Sequence, residues 1–229
     1  MSQRPQKAKD PVQPVSVPHR FVVVEGPIGV GKTSLARRLA TSFGSDLVLE
    51  QGEENPFLER FYRNPRAAAF QTQLYFLFQR ARQMQELRQQ DMFQRVRVAD
   101  YLLEKDRLFA RLTLDDGEFD LYQQVYARLA IDAPVPDLVV YLQAPVDVLL
   151  GRIGRRGIAY EQAIERRYLE RLGEAYARFF LEYDACPVLT VNAADIDPVG
   201  SESDYTSLLE EIVRVRKGRH FFNPMKSLL

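Results

Sequence analysis

Eight residues near the start of the chain, Gly26-Pro27-Ile28-Gly29-Val30-Gly31-Lys32-Thr33, spell G-x-x-x-x-G-K-[ST], a spacing that wraps backbone around phosphate. Glycines at 26, 29 and 31 let successive N–H groups turn inward, and the N-terminus of a following helix completes a concave anion site. In that site Lys32 is expected to reach the β- and γ-phosphates of ATP, and the Thr33 hydroxyl to ligate Mg²⁺. Ile28 and Ser34 complete the candidate ATP-binding loop. A chance glycine turn is the bland alternative. Against it, Phe21-Val22-Val23-Val24 leads in as an apolar β-branched run, and Ser34 to Ala40 leads out at helical spacing.

Phosphoryl transfer is mostly positioning and charge neutralisation, so the chemistry also asks for a carboxylate that accepts the acceptor's proton and for cations about the γ-phosphate. Two acids close predicted strands: Glu50 after Leu47-Val48-Leu49, and Asp100 after Val96-Arg97-Val98-Ala99. Glu53 and Glu54 compete with Glu50 from the adjoining loop. Asp100 stands where proteins with this loop place the acid of the metal's shell. Arg152, Arg155 and Arg156, set among Gly151, Gly154 and Gly157, read as forked phosphate donors on glycine hinges, a mobile lid between two helices; an exposed basic turn is the plainer reading. The last strand leads into Asn192-Ala193-Ala194-Asp195, which adds Asp195 to the candidate ATP-binding residues.

Short apolar runs separated by longer helical stretches must position these groups, a pattern that predicts a parallel sheet wrapped by helices with ligands beyond the strands' carboxyl ends. The strands are expected at Phe21–Val24, Leu47–Glu50, Arg95–Asp100, Leu138–Leu142 and Val188–Val191. Ala67–Gln89 reads as one long helix with an apolar stripe of Phe70, Leu74, Leu77, Phe78 and Ala81, interrupted by Gln73, Tyr75, Arg80 and Arg82. Polar side chains facing inward there need partners.

A length of 229 residues suits one domain, and 31 basic against 31 acidic residues leave no global attraction for nucleic acid or an anionic membrane. The single cysteine, Cys186, permits no internal disulfide and reads as core filler. No apolar run approaches the ~20 residues of a membrane span. Residues 1–18, with Pro5, Pro11, Pro14 and Pro18 among polar residues, read as a flexible tail before a single domain at 19–229, and the expected location is the cytoplasm.

Several spaced elements together resemble the deoxynucleoside kinase family of deoxycytidine, deoxyguanosine and deoxyadenosine kinases, in particular its bacterial branch, from about Phe21 to the C-terminus. Glu25 to Thr33 resembles E-G-x-I-x-x-G-K-[ST]; Glu50-Gln51-Gly52-Glu53-Glu54-Asn55-Pro56-Phe57 resembles E-P-x-E-E-N-P-[FY]. The resemblance implies a P-loop NTPase-type α/β fold, a parallel five-stranded sheet flanked by helices with a lid at about 151–161. It also implies an ATP- and Mg²⁺-dependent kinase of deoxynucleoside 5′-hydroxyls that works as a homodimer. It gives Glu50 the role of general base, Tyr62 a contact to the sugar 3′-hydroxyl, Gln73 and Arg80 contacts to the base, and Glu161 a second sugar contact. Arg152 and Arg156 become lid cations. Asp106 falls at the base-reading aspartate, with its spacing to Phe109 one residue short.

Two departures stand out. Where the family has [DE]-R-[ST], this chain has Asp100-Tyr101-Leu102, so the arginine is lost; and its later lid arginine is Ile158 here, with Arg155 the nearest guanidinium to replace it. Gln73 offers both donor and acceptor and can pair with adenine, cytosine or guanine edges, so the base stays open. A thymidylate-type nucleoside monophosphate kinase would need cations for its acceptor's phosphate near the second strand, where this chain has Glu50, Glu53 and Glu54. A catalytically inert interaction subunit finds its support in Tyr101, against an otherwise complete set of groups.

Overall fold

The computed structural model describes residues 15–89, 96–129 and 133–223, and the structural statements below concern these residues. Residues 1–14 of the expected tail and Arg95 of the third strand lie outside them.

Six strands form one parallel sheet in the order β2-β3-β1-β4-β5-β6: β1 Phe21–Glu25, β2 Asp46–Val48, β3 Arg97–Ala99, β4 Leu138–Gln143, β5 Val188–Asn192 and β6 Arg219–Phe222. The central strands read as unbroken apolar runs because helices cover both faces, and every residue of β1 is buried. β6 exceeds the expected five strands. Its sequence, Arg219-His220-Phe221-Phe222, is short and begins polar because an edge strand with a mostly exposed surface needs no buried face.

Eight helices connect the described strands: α1 Lys32–Phe43, α2 Leu58–Arg63, α3 Pro65–Gln89, α4 Lys105–Thr113, α5 Asp116–Leu129, α6 Val146–Arg156, α7 Arg166–Glu182 and α8 Glu202–Arg214. α1 buries Leu35, Ala36, Leu39 and Phe43 against the sheet, and α7 adds Leu169, Leu172, Tyr176 and Phe180 to the same core. Truncating one wholly buried leucine, such as Leu39, would cost about 2–5 kcal/mol. A second cluster joins α2, α3, α4 and α5 through Phe61, Leu77, Ala110 and Tyr122. Of the expected tail, the described end is attached: Val15 N–H donates to Ser42 O at 2.8 Å, and Val17 packs on the core.

Two expectations need correction. α3 turns Ala68, Thr72, Gln73, Leu77, Arg80, Ala81 and Met84 inward and leaves Phe78 52% exposed, so the buried stripe is rotated from the apolar one. The reason is functional geometry, since its inner face must cover a polar cleft as well as a core. The arginines at 152, 155 and 156 lie within α6, not in a loop; Gly151 and Gly154 are helical and only Gly157, at φ 71°, breaks the chain's direction.

Candidate active site

The phosphate loop joins β1 to α1. Gly26, Gly29 and Gly31 hold φ of 150°, 82° and 106°, conformations costly for any side chain. A Cβ on Gly26 would lie 2.4 Å from Leu142 O, and one on Gly29 would lie 2.7 Å from the Ile153 side chain, so the loop is also wedged against β4 and α6. Arg152 braces it from outside, donating to Val30 O at 2.9 Å and Ala193 O at 2.6 Å. The Lys32 ammonium curls over the loop to Gly26 O at 2.7 Å and Pro27 O at 3.1 Å. Burial, and then the neighbouring Lys105, lower its pKa to about 8. Such a desolvated ammonium gains most from an anion placed in the loop.

A line of polar groups runs from this loop across the sheet. Thr33 Oγ1 donates to Asp100 Oδ2 at 2.5 Å, and Asp100 Oδ1 accepts the Glu50 backbone N–H at 2.7 Å. One hydroxyl and one carboxylate at the end of a phosphate loop suit Mg²⁺, which binds through one or two such oxygens, substrate phosphates and water. Among the described residues no cluster of three or more His, Cys, Asp or Glu could hold a metal without such help. Burial raises the Asp100 pKa from the ordinary carboxylate value.

Glu50 is fixed by two buried cations. Arg80 of α3 pairs with its Oε1, and Lys105 of α4 lies 3.3 Å from its Oε2. Arg80 also pairs with Asp106, which is 1% exposed and stands behind the guanidinium. The loop that carries Glu50 is tied to α3: Gln83 Nε2 donates to Leu49 O at 3.1 Å, Gln79 Nε2 to Gln51 O at 3.3 Å, and Asn55 Nδ2 to Thr72 O at 3.2 Å. Side chains of α3 therefore set where the base candidate points.

These groups line one cleft of about 920 Å³ beyond the carboxyl ends of β1, β2 and β3. It runs from Gly29, Lys32 and Thr33, past Glu50, to Gln73, Phe76, Arg80 and Phe109. Gln73 is held through Nε2 to Thr113 Oγ1 at 3.3 Å. Toward the opening, Tyr62 stacks on Tyr160 with centroids 5.9 Å apart and planes at 8°, and Arg156 pairs with Glu161. Burial pushes the Tyr62 phenol well above its ordinary pKa, so it enters the cleft as a neutral hydroxyl.

The structure thus brings together Lys32, Thr33, Glu50, Asp100, Tyr62, Gln73, Arg80, Arg156 and Glu161. Glu53 and Glu54 also reach the wall, in a one-turn 3₁₀ segment. Arg152 and Asp195 are not among the residues lining this cleft: Arg152 braces the loop, and Asp195 accepts from Asn192 Nδ2 at 2.7 Å beyond β5. Arg155 does not replace the absent lid arginine here, because it is exposed and its Nε turns back to Gly151 O at 3.4 Å. Ile158 itself lines the cleft.

Two residues escaped sequence reasoning. Glu25 closes β1 and is wholly buried; it accepts from Gly26 N–H at 2.8 Å, Leu102 N–H at 2.7 Å and the Tyr176 hydroxyl at 2.9 Å, tying the phosphate loop to the end of β3. As an acid at a strand's end it carried the same signal as Glu50 and Asp100. Lys105 carried none, since a lone lysine at a helix start reads as solvated.

Comparison with known proteins gives this geometry a lineage. The family model for deoxynucleoside kinases matches residues 22–216. A deoxyguanosine kinase of Bacillus subtilis (strain 168) is 35% identical over 199 residues, covering 84% of this chain and 95% of that protein. A deoxyguanosine kinase of Lactobacillus johnsonii is 32% identical over 206 residues, 84% of this chain and 90% of that protein. Among solved structures, deoxyadenosine kinase from M. mycoides with bound dCTP matches with a TM-score of 0.73 at 23% identity, covering 85% of this chain and all of that one, which supports the fold. With the phosphate loop, the acids that follow β2 and β3 and one polar cleft shared between them, the chain belongs to the deoxynucleoside kinase family.

Proposed function

We propose that this kinase transfers the γ-phosphoryl group of ATP to the 5′-hydroxyl of a deoxynucleoside with Glu50 as general base, Lys32 and the loop amides on the donor phosphates, and Arg156 at the developing charge. The observation that carries this reading is the placement of Glu50 between the phosphate loop and the Gln73–Arg80 end of the same cleft. A hydroxyl entering from the Gln73 side meets the carboxylate before it meets the donor. Glu50, held on both oxygens by cations, is oriented to take the proton. Tyr62 and Glu161 face the sugar, while Gln73 and Arg80, backed by Asp106, face the base. Thr33 and Asp100 would hold Mg²⁺, which would supply positive charge to offset that of the donor phosphates. Arg152 and Asp195 act at one remove, keeping the donor side in shape.

An uncharged acceptor suits the cleft. Glu50, Glu53 and Glu54 would repel a monophosphate, which weighs against a thymidylate-type kinase. The assembled acids and cations weigh against an inert subunit. Deoxyguanosine is the substrate we place first, because deoxyguanosine kinases are among the relatives of highest identity. The working form is a cytoplasmic homodimer joined across α3 and α5, where Phe78 and Leu121 are 52% and 48% exposed. A coupled ATP-turnover assay with a panel of deoxynucleosides and their monophosphates tests the assignment. Highest kcat/KM with deoxyguanosine supports it; turnover of monophosphates alone, or of nothing, refutes it.

A further inference from the structure

The residue after Asp100 is one of the two places where this chain lacks an arginine of the family pattern, and the structure shows what stands there instead. Tyr101 is 1% exposed and donates its hydroxyl to Gln83 Oε1 at 2.6 Å, so it closes the gap between β3 and α3 without reaching Glu50. A positive charge enters from a different element. Lys105, the first residue of α4, is 2% exposed, and its ammonium lies 3.3 Å from Glu50 Oε2 and 3.7 Å from Glu25 Oε2. The rings of Tyr101 and Phe109 each lie 5.9 Å from the same nitrogen.

Neutralising Glu25 is not enough to account for this lysine. Glu25 already accepts from Gly26 N–H, Leu102 N–H and the Tyr176 hydroxyl. The shorter contact is to Glu50, whose other oxygen belongs to Arg80. Burying an ammonium costs several kcal/mol unless its partners are well placed. Here the cost is met at the carboxylate that must point at the acceptor hydroxyl. With Arg80 on one oxygen and Lys105 on the other, the carboxylate is held from two helices, α3 and α4, that pack against each other. Neither cation alone would fix its rotation.

We propose that Lys105 is a positioning residue that supplies, from α4, a cation where Tyr101 supplies none, holding Glu50 aimed at the nucleoside 5′-hydroxyl. This rests on Glu50 being the base.

The test is a set of variants of the full chain: Lys105→Met, Lys105→Gln, Lys105→Arg, and Lys105→Met combined with Tyr101→Arg or with Glu50→Gln. Each is assayed for kcat and for deoxyguanosine and ATP KM, with circular dichroism to confirm folding. Both neutral variants should lose ~30- to 300-fold in kcat with each KM changed less than threefold, as expected for a group that acts through the base. Lys105→Arg should keep at least a tenth of wild-type kcat, and Tyr101→Arg should restore part of what Lys105→Met loses. On a Glu50→Gln background, Lys105→Met should cost little more, because the group it positions is gone.

Folded neutral variants with wild-type kcat overturn the inference, as does a full, additive loss on the Glu50→Gln background. If neither neutral variant folds, Lys105→Arg decides: retained kcat supports the role, and a folded inactive protein overturns it. Full activity of Glu50→Gln itself would remove the base assignment, and the inference with it; loss confined to Glu50 variants would leave the base in place and Lys105 without a role.

Discussion

Replacing Glu50 with glutamine separates chemistry from architecture because the amide keeps the shape and removes only the proton acceptor. The structural cost can be bounded from its partners. Glu50 is 22% exposed at its side chain, and each cation it neutralises has a second acid: Arg80 keeps Asp106, and Lys105 keeps Glu25 at 3.7 Å. The loss should therefore fall below the ~3–5 kcal/mol of a fully broken buried pair and nearer ~1–2 kcal/mol. For a chain of this size that corresponds to a fall in Tm of roughly 2–8 °C. The variant stays folded at 25 °C. Its kcat should drop by ~10²- to 10⁴-fold, the range for removing a general base, while nucleoside KM changes much less. Thermal melts and steady-state kinetics on one preparation measure both. A kcat within tenfold of wild type in a folded protein would refute the role; the same collapse in Glu53→Gln or Glu54→Gln but not in Glu50→Gln would move it to the loop.

Lys32→Ala should abolish phosphoryl transfer with little change in circular dichroism, since it removes a charge at the loop and no core volume; near-normal kcat would overturn the donor site. Gly29→Ala combines an adverse φ of 82° with a contact of 2.7 Å to Ile153 and should weaken ATP binding measured by calorimetry, whereas unchanged affinity would mean the loop tolerates a side chain. For pH, Lys105 has its pKa lowered from 10.5 to about 8, so between those values the unfolded chain binds more protons and stability rises with pH; urea melts should show wild type gaining on Lys105→Met from about pH 8 to 10, and parallel curves would count against that buried ammonium. Phe78→Asp should shift a dimer toward monomer in light scattering, and a monomeric wild type at micromolar concentration would dismiss the dimer.

The sheet's centre was legible because buried parallel strands cannot hide: Phe21-Val22-Val23-Val24 and Leu138-Val139-Val140-Tyr141-Leu142 must be covered on both faces and so announce themselves as apolar runs. β6 was not, since an exposed edge imposes no pattern on Arg219-His220-Phe221-Phe222. The same contrast governs the site. Glycines at 26 and 29 are dictated by backbone that no other residue fits, and Glu50 and Asp100 by the ends of strands; these are local constraints, written locally. Lys105 is set by a carboxylate 55 positions away and by the loss of an arginine at 101, so only the fold brings its reason into contact with it. Position within α4 likewise places Asp106 behind Arg80 despite its irregular spacing to Phe109, because a helix start can be set by a neighbouring turn while the inward face it presents is kept. A cation removed from one element and supplied by another leaves the charge at Glu50 in place while its source moves, and a comparison of aligned columns would score that as loss.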